Sequence, residues 1–193
     1  MAKDGIKQFE IIVIGGSAGS FEVILQLVSQ LKPGFTIPIL IVVHRKNDFA
    51  NAMVTLLKSK TKLAVKEAED KERIEAATIY IAPSDYHLLV EKDKILSLDA
   101  SEKVNYSRPS IDVTFQCAAE VYGNKAACIL LSGANADGAE GLKDVKDNSG
   151  FTIVQDPATA EVSFMPQQAI NMMEVDLVAN VHELAAWFNN LII

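Results

Sequence analysis

Along this chain, short continuous apolar runs alternate with longer stretches in which apolar positions recur every third or fourth residue. These are the two periods that separate buried strands from amphipathic helices. Glu10–Ile14 reads as a strand, the segment near 20–31 as a helix, Ile37–Val43 as a second strand, and the segment near 49–59 as a helix carried by Met53, Leu56 and Leu57. A strand around Leu63–Lys66 follows. Thr78–Ala82, Tyr86–Glu91 and Lys94–Leu98 then read as strands separated by turns at Pro83-Ser84-Asp85 and Lys92-Asp93, which predicts a meander or antiparallel edge.

The second half returns to alternation. Arg108-Pro109-Ser110 opens a helix through about Tyr122, with proline placed in its first turn, and Ala126–Leu131 is a buried strand. A helix near 138–148, a strand at Phe151–Val154, a loop at Gln155–Met165, a short helix near 166–172 and a last helix near 181–191 complete the chain. Such a pattern predicts an α/β fold: a doubly wound, mainly parallel sheet with helices on both faces and a short antiparallel edge, whose sites lie at the carboxyl ends of strands. Length fits one domain over 1–193, and 49% hydrophobic with 22% charged residues suits a soluble core-forming chain.

The formal charge of −7 argues against broad nucleic-acid binding, which needs a basic face. Cys117 and Cys128 make neither a disulfide framework nor a metal site, so two reduced thiols are expected. No apolar run reaches the length of a membrane span and the first residues are not a secretory signal, so the expected location is the cytoplasm, without membrane insertion.

Chemistry gathers at three predicted strand ends. The first strand runs into Gly15-Gly16-Ser17-Ala18-Gly19, a Gly-x-Ser-x-Gly turn before a helix, which makes Ser17 a candidate nucleophile. A seryl hydroxyl needs a base and a group that orients the base. His44 directly follows Ile39–Val43, and Asp137 lies in the loop Leu131–Gly138 after the strand at 126–131. Each has a plainer reading. His44 could bond a backbone carbonyl, the serine turn could cap a helix or cradle a phosphate, and Asp137 with Glu140 forms an Asp-x-x-Glu capping box. His87 and His182 read as structural, and Asp156, also after a strand, is the reserve acid. The dinucleotide fingerprint and the Walker A pattern are both absent. The order serine, histidine, acid differs from that of an ordinary α/β-hydrolase.

Several of these segments, in this order, resemble the chemotaxis protein-glutamate methylesterases (the CheB catalytic domain). The resemblance runs from about 10 to about 175 and rests on Ile14–Gly19, Val43-His44, Ala82–His87, Arg108–Val113, Leu131–Ala139, Asp156–Ala160 and Met165-Pro166. It implies a serine esterase that removes methyl groups from glutamate side chains of methyl-accepting receptors, with glutamine deamidation in some members and no metal or organic cofactor. Carried onto this chain, Ser17 would be the nucleophile, His44 the base and Asp137 the acid, with the amides of Ala134 and Ala18 forming the oxyanion site. Arg45, Arg108 and Met165 would touch substrate, and Arg45, Lys46 and Arg108 would form a basic rim.

Ala18 stands where a threonine is common, Ser20 where a glycine is common, Ala134 for a usual methionine, Arg45 for a Met-Pro pair and Phe164 for a glycine. The chain starts close to the first catalytic strand, where family members usually carry a receiver domain. A stand-alone catalytic domain, with control by a separate receiver protein or by expression, is therefore expected. The implied partner is the cytoplasmic helical region of a chemotaxis receptor. A hydrolase for another ester or amide, and a receptor-binding module without turnover, are the alternatives.

Overall fold

The computed structural model describes residues 8–44 and 50–191. A parallel sheet of seven strands forms the centre, built from β1 (Ile11–Gly16), β2 (Ile39–Val43), β3 (Ala64–Glu67), β5 (Thr78–Ile81), β8 (Ala126–Leu130), β9 (Phe151–Gln155) and β10 (Leu177–Ala179) in the order β10-β9-β8-β1-β2-β5-β3. A second, three-stranded antiparallel sheet joins β4 (Glu72–Arg73), β7 (Ile95–Asp99) and β6 (His87–Glu91) in that order. The expected antiparallel portion is thus a separate small sheet. Thr78–Ile81, expected within it, instead pairs in parallel with β2 and β3. Two strands went unread: β4 has two residues and β10 three, too few to show a period.

The pleat divides the core in two. Ile11 and Val13 of β1 pack on one face with Phe115, Ala118 and Ala119 of α3 (Ile111–Tyr122), Leu142 and Val145 of α4 (Ala139–Asp147), and Met165 of α5 (Phe164–Met172). Ile12 and Ile14 pack on the other, with Ile24 and Leu27 of α1 (Ser20–Ser29), Met53 and Leu57 of α2 (Ala50–Lys60), and Leu184 and Phe188 of α6 (Val181–Asn190). Both faces are covered, so β1 and β2 are buried throughout and their sequences are unbroken apolar runs. Each such Ile or Leu contributes roughly 1.5–3 kcal/mol through burial.

β1 lies between β2 and β8, where the strand order reverses. That is the switch point at which an open α/β sheet leaves a crevice beyond its carboxyl edge. A Cβ on Gly15 would lie 2.3 Å from Ile111 Cγ2. The missing side chain lets the start of α3 rest directly on the end of β1.

Candidate active site

Backbone hydrogen bonds continue past the strands and tie three strand ends together. Leu131 N donates to Gly15 O at 2.9 Å, Ser17 N to Ser132 O at 2.9 Å, and His44 N to Gly16 O at 3.3 Å. Ser17, His44 and the loop from Ser132 to Asp137 therefore share one edge. Ser17 occupies a tight strand-to-helix turn: β1 ends at Gly16 and α1 starts at Ser20, whose hydroxyl donates to Ser17 O at 2.7 Å. Gly19 turns the chain with φ 77°, where a Cβ would also meet Glu161 at 2.6 Å. Ser17 stays partly exposed at the top of this turn.

His44 is 15% exposed and its Nε2 bonds Asp137 Oδ2 at 2.7 Å, so it does not spend that nitrogen on a backbone carbonyl. The other ring nitrogen, Nδ1, lies 3.4 Å from the side-chain amide nitrogen of Asn135. An amide NH₂ can only donate, so Nδ1 is the lone-pair nitrogen and Nε2 carries the proton given to Asp137. Among the described residues Ser17 Oγ makes no hydrogen bond to this ring.

Asp137 is completely buried and accepts four hydrogen bonds. Oδ2 takes His44 Nε2 and Ile111 N, both at 2.7 Å, while Oδ1 takes Ser110 Oγ at 2.8 Å and Asp112 N at 3.2 Å. Three of these donors open α3, whose N-terminal dipole favours an anion. Burial works to raise the pKa of Asp137, but the bonds from His44, Ile111 and Ser110 outweigh it and hold the carboxyl below the ordinary carboxylate range.

The capping-box reading of Asp137 is corrected by this arrangement. The N-cap of α4 is Gly138, with φ 97° and no side-chain cap. Its amides are met from across the interface: Asp112 Oδ1 accepts from Gly138 N at 2.8 Å and Gly141 N at 2.7 Å. Asp112 Oδ2 accepts from Asn105 Nδ2 at 3.1 Å. Thus α3 and α4 exchange carboxylates, each held at the start of the other. Burial, with the neighbouring Asp137 charge, pushes Asp112 up to about 6 despite the Gly141 and Gly138 amides.

A family model described as CheB methylesterase matches residues 12–188. The chain belongs to the CheB methylesterase family. A protein of Leptospira interrogans is 45% identical over 183 residues, 95% of this chain and 95% of its own length. A Thermotoga maritima protein named protein-glutamate methylesterase/protein-glutamine glutaminase is 34% identical over 178 residues, 91% of this chain and 52% of that protein. The crystal structure of the Thermotoga maritima CheB methylesterase catalytic domain superposes with a TM-score of 0.89 at 34% identity, covering 95% of this chain and 98% of that one. The chain thus spans about half the length of relatives such as the full Thermotoga protein. No helix among the described residues is long and apolar enough to cross a membrane.

The remaining expected residues divide. Ala18 and Ala134 are exposed at the edge. Neither amide is bonded to another described residue, whereas the Gly133 amide is already given to Val162 O at 3.1 Å. Met165 is corrected: it is fully buried, and a Cβ on Gly133 would strike its Sδ at 2.5 Å, so it supports the CheB-type loop from beneath and cannot meet substrate. Arg108 has partners of its own on the backbone. Its Nη1 donates to Ala100 O at 2.7 Å and Ser101 O at 2.6 Å, which makes it a clamp on the loop before α3.

Arg45 and Lys46 lie outside the described residues. Asp156, the reserve acid, accepts from Ala158 N at 2.9 Å and caps its own short turn. His87 is buried, taking Ser110 N on Nδ1 at 3.1 Å with Nε2 on Glu102 O at 2.9 Å. Pro109 precedes the α3 cap, Ser110, and does not sit in the first turn. Sequence reading missed Asp112, Ser110 and Asn135; all three lie in the segments Arg108–Val113 and Leu131–Ala139 that carry the family resemblance, but only the packing of α3 on α4 and against His44 reveals their partners.

Proposed function

We propose that this chain is a serine carboxylesterase that removes methyl esters from glutamate side chains of a methyl-accepting chemotaxis receptor, with deamidation of glutamine at the same positions as the parallel reaction. The observation that carries the proposal is the bond of 2.7 Å between the buried Asp137 and the half-buried His44, at the switch-point edge beside the Gly16-Ser17 turn. Membership in the CheB methylesterase family and relatives named for this activity support it.

In the proposed cycle, Ser17 Oγ attacks the ester carbonyl carbon while its proton passes to His44 Nδ1. Asp137, ionised against α3, stabilises the imidazolium and fixes the tautomer. The carbonyl oxygen gains a full charge as the tetrahedral intermediate forms, and in this reading the Ala134 and Ala18 amides receive it. Collapse expels methoxide, which takes the proton from Nδ1 and leaves as methanol. Water then repeats the attack on the seryl ester, the proton again passing through His44, and frees the glutamate carboxylate. On glutamine the leaving group is ammonia.

The test is methanol release from a methylated receptor fragment. Ser17→Ala should lower kcat on the order of 10⁴- to 10⁶-fold with an unchanged fold, since the serine acts at the covalent step. Near-normal turnover in Ser17→Ala would sink the serine mechanism.

A further inference from the structure

Three aromatic side chains are exposed among the described residues: Tyr86 in the turn after β5, Phe164 as the first residue of α5, and Tyr106 in the loop before α3. Tyr106 is extreme, with 97% of its surface in solvent. It is also held in the left-handed backbone region at φ 63°, next to Asn105 at φ 49°. Asparagine tolerates that region; a bulky aromatic residue does not, and glycine is the usual occupant of the second position in such a two-residue turn. The turn is closed by Val104 and Ser107, whose backbones exchange bonds of 3.2 and 2.8 Å. Nothing in the core gains from this tyrosine, which is both strained and unburied. Backbone strain that brings no packing points to function.

The turn is wired into the site. Asn105 donates to Asp112, and Asn135 Nδ2 lies 3.4 Å from Ser107 Oγ as well as from His44 Nδ1. On the other side of the same loop, Met165 N donates to Gly133 O at 3.0 Å, which places the 48%-exposed Phe164 beside it. The backbone from Gly133 to Asn135 therefore runs between one exposed aromatic and the other.

We propose that Tyr106, with Phe164, forms an apolar grip for the polypeptide that surrounds the scissile glutamyl ester, docking a helical segment through apolar side chains flanking the ester. The proposal rests on the esterase reading for its choice of occupant, since an ester carried on a protein side chain arrives with its own helix or loop. Tyrosine suits the task because it offers a large contact area with little side-chain entropy to lose. A small ester would not reach it.

Two measurements separate docking from catalysis. The first is binding of a labelled helical receptor fragment, carrying glutamine at the acceptor position, to Ser17→Ala protein. Adding Tyr106→Ala should weaken Kd about 10- to 30-fold, whereas Tyr106→Phe should hold it within about threefold, because the ring makes the contact. Tyr106→Gly should weaken binding equally while raising Tm, since glycine relieves the turn. The second is turnover on an otherwise wild-type background: Tyr106→Ala should raise KM for the methylated fragment, leave its kcat unchanged and leave p-nitrophenyl acetate hydrolysis unchanged. An unchanged Kd, a parallel loss on both substrates, or no binding of the fragment at all would overturn the grip. Binding that depends on Tyr106 without any methanol release would keep the grip and overturn the esterase.

Discussion

Asn180-x-x-Glu183 at α6 and Asp137-x-x-Glu140 at α4 present the same local signal, yet only the first is used locally. Asn180 Oδ1 accepts from His182 N at 2.9 Å and Glu183 N at 3.1 Å, and Glu183 returns a carboxylate to Asn180 N at 2.8 Å. At α4 the aspartate turns away to α3 and His44, glycine takes the cap position, and Asp112 arrives from outside to meet the orphaned amides. A self-sufficient cap stabilises one helix. A crossed pair couples two helices and holds a carboxylate where a histidine can reach it, at the cost of placing two negative charges near one another in the interior.

The sharpest way to break that contrast is to replace these polar groups one at a time. Asp137→Asn should lose about 10⁴-fold in kcat. Both Asp137 oxygens face donors, so an NH₂ at either position opposes an N–H or O–H, and the His44 tautomer is no longer held. Retention of activity in Asp137→Asn, measured by methanol release, would remove this carboxylate from the proposed chemistry. Next in size is Asp112→Ala, which strands the Gly138 and Gly141 amides and should lower kcat about 10- to 100-fold and stability by about 2–3 kcal/mol, read from denaturant curves beside turnover. A stability loss with kcat intact would mean that Asp137 keeps its place without its counterpart.

Titration sharpens the comparison further. The folded-state pKa of Asp137 is depressed, so its stabilisation is present above the unfolded value near ~3.9 and is lost as pH falls through the lower folded one. Asp112 runs the other way. Burial raises it to about 6, so its contribution is fully present below ~3.9 and is lost as pH rises through about 6. Asp112→Asn keeps an oxygen for both amides and removes the charge. Between pH 4 and 7 the wild type should therefore lose on the order of 2 kcal/mol relative to Asp112→Asn, and parallel pH–stability curves would show that the Asp112 charge carries no such cost. The smallest effect belongs to α6: Asn180→Ala should lower stability by about 1 kcal/mol and leave turnover untouched.

The same contrast explains what the sequence could reveal. Alternation of apolar and amphipathic runs made the α/β class and most elements legible, because β1, β2 and β8 are buried on both faces and cannot be read otherwise. Ser17, His44 and Asp137 were legible as polar residues at strand ends, and the family resemblance named their order. Asp112 was not, because a carboxylate in the first turn of a helix looks like a dipole partner for that helix. Met165 was misjudged because it lies next to site segments in sequence while its side chain is buried against Gly133. Pairings between α3 and α4 have no sequence period to betray them.

The orientation of the His44 ring has a consequence for covalent probes. Ser17 and His44 follow adjacent strands, which lie about 4.8 Å apart, so in the proposed cycle the near nitrogen, Nδ1, serves the serine while the far one spans β1 to reach the loop after β8. In the familiar serine-protease arrangement the two nitrogens have the opposite assignments. A chloromethyl ketone that captures the serine and then alkylates the lone-pair nitrogen, Nδ1, would accordingly leave a τ-unsubstituted, π-alkylated histidine here, an isomer that fragment-ion mass spectrometry against synthetic standards can tell from the usual adduct.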